Sequence, residues 1–269
     1  MEAKTVLYDV QGPVAVLRLN RPRRMNAVIE QLYLDLQAAL EKAGADRAVR
    51  AVVLTGSVLE RDGSRKQAFC AGADLKAHAA DARSEWQKRQ YLMLAHDTCR
   101  RLFEFPKPVV AAINGPARGA GVEMALNCDF IIMADSATLA FTETSLGTFV
   151  GGGATRLLER LVGLAQARRL IYSGSVVDGR EAVRLGLALA SLPVERLLEE
   201  ALRFCAELAA KAPVSLAFAK ELINLAPGRD LQTVLLAEAE AILACMKTAD
   251  WREGVESFAQ GRQPRFKGE

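Results

Sequence analysis

The chain has 269 residues, enough for one large domain or one domain with an appendage. Hydrophobic residues make up 51% and charged residues 25%, ordinary globular usage that excludes a disordered, collagen-like or disulfide-stapled chain. Thirty-five Lys and Arg against 32 Asp and Glu leave a net charge of +3, too small a bias to imply a nucleic-acid or anionic-membrane partner by itself.

The opening Met1-Glu2-Ala3-Lys4-Thr5 is not followed by an apolar, cleavable leader, and no apolar run is long enough to span a bilayer, so neither export nor membrane insertion is expected. Val6 to Asn20 reads as a hairpin around Gly12-Pro13. Val28, Leu32, Leu36 and Leu40 recur every four residues before Gly44, which predicts an amphipathic helix over 27–43. Residues 49–56 follow as a buried strand, and the polar 57–68 reads as a mobile loop. A helix over 84–103 ends before Pro106 and Pro108, and Val109 to Ile113 is the next strand. A Gly-rich turn, a helix over 122–128 and a strand over 130–134 repeat the rhythm. Thr138 to Phe141 is strand-like, and beyond Gly153 the β signal fades into helical segments near 154–162, 164–172, 179–186, 195–211, 213–225, 230–248 and 250–260.

Five cysteines are scattered, odd in number and never in a CxxC pair, which suggests neither disulfides nor zinc and fits a reducing, cytoplasmic compartment. No metal or redox cofactor is indicated. His78 and His96 form no HExxH pattern, and His96 reads as a packing or surface residue.

Chemistry concentrates in three places. Asn114 to Gly121 (NGPARGAG) joins an apolar strand to an apolar helix, where backbone N–H groups can converge on negative charge, although it is neither a P-loop nor a dinucleotide fingerprint. Glu123 lies in the first turn of that helix among apolar neighbours, and Glu143 follows after a strand-like segment. A carboxylate pair beside an anion-binding turn is what acid–base chemistry on one substrate requires, while dipole complementation and solvent exposure are the plain alternatives. Cys70-Ala71-Gly72-Ala73-Asp74 is a second small-residue turn able to bring an N–H close to a ligand.

These segments, with LNRPRRMNAV (19–28), AFCAGADLKAH (68–78), FTETSLGTFVGGGATRLLERLVG (141–163), YSGSVVDGREAVRLGL (172–187) and the final DWREGVESFAQGRQPRFKG (250–268), resemble the enoyl-CoA hydratase/isomerase, or crotonase, family in order over nearly the whole chain. The resemblance implies an α/β fold: a spiral of repeated ββα units over 1–195, with a C-terminal helical oligomerisation region over 196–269. It implies an acyl-CoA substrate, no cofactor beyond the coenzyme A of that substrate, and a homotrimer or a hexamer built as a dimer of trimers.

By the same resemblance, Ala73 and Ala120 donate backbone N–H groups to the thioester oxygen, and Glu123 and Glu143 act as base and acid in hydrating a 2-enoyl-CoA. Arg24, Ala71, Gly72, Asp74, Leu75 and Gly119 are expected along the CoA moiety. Phe258, Phe266 and Lys267 are expected toward its adenine end, with a neighbouring subunit as one source of them. Ala120 stands where glycine is more usual, Val150 where proline is common, and 57–68 is longer than typical, all bearing on acyl-chain preference. The alternatives are an enoyl-CoA isomerase, a thioester hydrolase, a dienoyl-, cyclic- or methylglutaconyl-type hydratase, and an RNA-binding protein using the Arg21/Arg23/Arg24 cluster.

Overall fold

The computed structural model describes residues 4–61, 64–79 and 83–269. Its strands are β1 (Val6–Gln11), β2 (Val14–Leu19), β3 (Ala51–Gly56), β4 (Val58–Arg61), β5 (Ser64–Gln67), β6 (Val109–Ile113), β7 (Ala117–Arg118), β8 (Phe130–Ala134), β9 (Thr138–Ala140), β10 (Val177–Asp178) and β11 (Ala190–Leu192). Its helices are α1 (Glu30–Ala45), α2 (Leu75–Ala79), α3 (Glu85–Phe103), α4 (Ala120–Leu126), α5 (Ala154–Ser173), α6 (Gly179–Arg184), α7 (Val194–Ala209), α8 (Pro213–Leu225), α9 (Leu231–Met246) and α10 (Ala249–Ala259). None is long and apolar enough to cross a membrane among the described residues.

A six-stranded sheet runs β1-β2-β3-β6-β8-β11, antiparallel only at the β1–β2 hairpin and parallel from β2 onward. The inner strands β3 and β6 are buried along their whole length, which is why they read as continuous apolar runs rather than alternating ones. Helix α7 packs on β2, β3, β6 and β8, while α1 packs on α3. A small sheet, β10-β9-β7, lies apart from the large one. Thus β6 passes through β7 to α4, and β8 through β9 to the segment before α5: strand, short strand, helix. This is the expected spiral of ββα turns.

Several boundaries differ from the expectations. The first helix starts at Glu30, not residue 27, because Met25 and Asn26 occupy left-handed conformations (φ 50° and 55°) and Ile29 is extended. The stretch read as loop contains the β4–β5 hairpin; residues 62–63 within it lie outside the described ones. Helix α3 begins where Ser84 and Gln87 form a capping box. Two- and three-residue strands, including β11 at the sheet edge, persist beyond Gly153. The two helices expected around Gly163 are halves of α5, bent where Gly163 adopts φ 76°.

Asn26 ties the first turn of the spiral together. Fully buried, it accepts from Arg21 N (2.9 Å) and the Ser57 hydroxyl (3.2 Å) and donates to Ala68 O (2.8 Å). It thereby links the chain before α1 to the end of β3 and to the segment that leads into Ala71–Asp74. Asn26→Ala would leave a buried N–H and C=O unpaired, and a stability loss of about 3 kcal/mol is expected in chemical denaturation.

Candidate active site

Two turns meet at the site. Val28 donates to Gly72 O (2.8 Å) and accepts from Asp74 N (2.9 Å), the groups on either side of Ala73, so the Ala73 N–H faces away from this bridge. Ala120 opens α4, where an N–H has no intrahelical acceptor. The turns preceding these alanines touch: a Cβ on Gly72 (φ +87°) would lie 2.9 Å from Arg118 O, so only glycine admits the approach.

Glu143 closes over the second turn. A Cβ on Gly119 (φ +47°) would stand 2.8 Å from Glu143 Oε1, while Glu143 Oε2 is buried and has no hydrogen-bond partner among the described residues. Glu123, one turn into α4, accepts at Oε1 from Gly151 N (2.6 Å). Both carboxyls are buried, 8% exposed at Glu123 and 7% at Glu143. Burial pushes Glu123 up to about 7, with the neighbouring Glu143 charge adding to the rise and the Gly151 N–H opposing it. Burial raises Glu143 as well, against the N–H groups of Glu143 and Thr142. Two buried carboxyls, both with protonation favoured, thus lie beside the two turns, and the charge of Glu143 is felt at Glu123.

The enoyl-CoA hydratase/isomerase family model matches residues 9–269. The chain belongs to this family of enzymes. An enoyl-CoA hydratase crystal structure from Bacillus anthracis superimposes with a TM-score of 0.91 at 37% identity, covering 98% of this chain and all of that one. The short-chain-enoyl-CoA hydratase of Clostridium acetobutylicum is 32% identical over 98% of this chain and 97% of its own length. The mitochondrial methylglutaconyl-CoA hydratase of Mus musculus is 34% identical over 98% of this chain and 82% of its own.

In this family member, the remaining residues singled out by sequence fall in three places. Arg24 lines a cavity of about 630 Å³ with Lys4, Arg21, Arg23 and Leu59, a basic basin walled on one side by the β4–β5 hairpin. Asp74 is held by Arg21 (3.1 Å), which keeps its carboxyl below the usual range against the opposing effect of burial. Ala71 donates to Met25 O (3.0 Å), and Leu75, exposed, opens α2. Phe258 and Phe266 line a separate apolar cavity of about 420 Å³ with Trp251, and Lys267 a smaller one with Arg47 and Arg50. Within one copy of the chain, neither cavity includes Arg24 or the carboxyls.

Sequence reasoning missed two neighbours of Glu123. Asn127, buried, donates to Glu123 O (2.8 Å) and Gly152 O (2.6 Å), pinning the Gly151–Gly152 turn against α4. His96, exposed on α3, reaches the same turn from the other side. Asn127 sits in a motif-like run, but its bond to Gly152 O and the approach of His96 to Gly151 each join distant segments, so no local pattern signals them.

Burial of Glu123 bears on stability with a definite sign. The unfolded chain ionises this group near 4.5 and the folded protein near 7. Between those values the unfolded state sheds its proton first, so stability falls as pH rises through the window and stays lower above it. Glu123→Gln removes this titration. We expect denaturation curves of the variant to match wild type at pH 4 and to show a gain of up to about 3 kcal/mol at pH 8.

Proposed function

We propose that this protein is an enoyl-CoA hydratase that adds water across the C2=C3 bond of a 2-enoyl-CoA thioester. The observation that carries this reading is the pair of buried carboxyls, both shifted upward, beside two touching backbone turns. The thioester oxygen accepts from the Ala73 and Ala120 N–H groups, which stabilise the negative charge that develops as C3 is attacked; one such donor is typically worth about 3 kcal/mol. Reaction proceeds from the microstate of the pair with its proton on Glu143, in which Glu123 is ionised and takes a proton from water as its oxygen bonds to C3. Protonated Glu143 then delivers a proton to C2 as the enolate collapses. Water's oxygen and one proton reside on the product, its other proton on Glu123, and proton exchange between the carboxyls restores the pair. The reaction so written needs no cofactor beyond the substrate's own coenzyme A.

The Arg21, Arg23 and Arg24 basin suits the phosphates of CoA, since guanidinium groups match phosphate geometry. Helix α9 supports a homotrimer or a dimer of trimers formed through the region 196–269: Leu231, Leu235, Leu236, Ile242 and Leu243 are exposed in one copy, and Ala241 is its buried residue. Assembly would also bring Phe258, Phe266 and Lys267 of one subunit toward the adenine end of a neighbour's CoA. Free cysteines, three of them buried, suit a reducing cytoplasmic setting.

Incubation with crotonyl-CoA tests the chemistry: the conjugated thioester absorbance falls and the product gains one water in mass. Glu123→Gln and Glu143→Gln are each expected to lower the rate by about 100-fold or more. Migration of the double bond without mass change would assign an isomerase, and release of free CoA a hydrolase. Arg24→Ala should raise KM for crotonyl-CoA and leave KM for the N-acetylcysteamine thioester, which lacks the nucleotide, unaltered. Light scattering should return three or six chain masses, and Leu236→Glu should lower that number.

A further inference from the structure

His96 belongs to the site by position. Its Nε2 lies 3.1 Å from the point where a Gly151 side chain would begin, and Glu123 Oε2 lies 3.2 Å from that same point. The imidazole and the carboxyl thus flank one glycine, which any side chain would force apart. His96 is exposed, and it has no hydrogen-bond partner among the described residues. One turn earlier on the same face of α3, Leu92 and Met93 are exposed apolar side chains. The imidazole is therefore a polar interruption among exposed apolar side chains of α3, next to the Gly151 turn that Glu123 holds.

The order of groups along the site gives this interruption a meaning, on the hydratase reading above. The thioester oxygen is held at Ala73 and Ala120, and C3 faces Glu123, so the acyl chain continues past Glu123 toward Gly151 and His96. A plain alkyl chain offers the imidazole N–H no partner. An acyl chain ending in a carboxylate would face the opposite difficulty, since Glu123 and Glu143 repel a third anion unless a donor stands beyond them. No Lys or Arg is among the groups that shift either glutamate. His96 is the donor in place.

We propose that His96 sets acyl-chain selectivity, accepting 2-enoyl-CoA thioesters whose chain carries a carboxylate a short way beyond C3. The imidazole donates to that carboxylate and takes no part in the proton transfers at C2 and C3. It is a specificity determinant, separate from the acid–base pair.

The test compares crotonyl-CoA with (E)-glutaconyl-CoA, which share the same double bond and thioester but differ by a terminal carboxylate. Wild type should hydrate glutaconyl-CoA with a kcat/KM at least equal to that for crotonyl-CoA. His96→Leu should shift the ratio toward crotonyl-CoA by tenfold or more, and His96→Gln, which keeps an N–H donor, by less. A ratio that stays within twofold of wild type in His96→Leu overturns the inference. So does an equal fall on both thioesters, which would place His96 in the reaction itself. Absence of hydration of either thioester by wild type would instead remove the hydratase reading, and the inference with it.

Discussion

The site depends on a close approach of bare backbone. The turn at Gly72 and the turn at Gly119 come into contact because neither carries a side chain, and the residues that follow them, Ala73 and Ala120, are left with N–H groups that the local structure does not use. Everything that brings the turns together is long-range. Parallel pairing of β3 with β6 sets the two chain segments side by side, and a bridge between Cys70 and Ala117 carries the alignment beyond the sheet. Asn26 then anchors the first segment from behind. On the proposed hydratase reading, backbone donors placed this way would need no rearrangement to meet charge that appears only during reaction.

Burial of two carboxyls beside those turns works against folding and for chemistry. In water neither glutamate would hold a proton at neutral pH; here both are shifted upward, and one lies near 7. The protein offsets part of the cost locally. Gly151 N donates to Glu123, and Asn127 holds the same turn through Gly152 O, so the carboxyl most raised by burial is also the one held by a short hydrogen bond. Glu143 Oε2, without such a partner, is the freer oxygen of the pair. The two carboxyls thus differ in how firmly the surrounding backbone holds them.

Much of this was legible in the sequence, and the rest has identifiable physical causes. Glu123 stands out because a charged residue in an apolar run is costly, Glu143 because it supplies a second carboxylate after a strand-like segment, and the glycines near them mark backbone contacts. Helices such as α8 declare themselves by length and periodicity. Strands of two or three residues, such as β7 and β10, contain no full period and cannot be read from alternation. The β4–β5 hairpin carries apolar side chains only at Val58 and Leu59, adjacent positions that make no alternating pattern, so it reads as a polar loop. His96 reads in the sequence as a packing or surface residue, with nothing to show its neighbour. Its place beside Glu123 comes from the way α3 crosses α4, a contact that no local pattern encodes.

Helix α5 links the two carboxyls mechanically. Its first residues leave the Gly151–Gly153 turn that holds Glu123, and near its far end the Ile171 carbonyl accepts from the Thr144 hydroxyl, next in sequence to Glu143. One element thus supports the surroundings of both glutamates, like a caliper with a jaw at either end. Its bend at Gly163, where φ is positive and a side chain would be strained, sets the angle between the jaws. A substitution at Gly163 would therefore act on the geometry of both glutamates from a position with nothing near its own side chain.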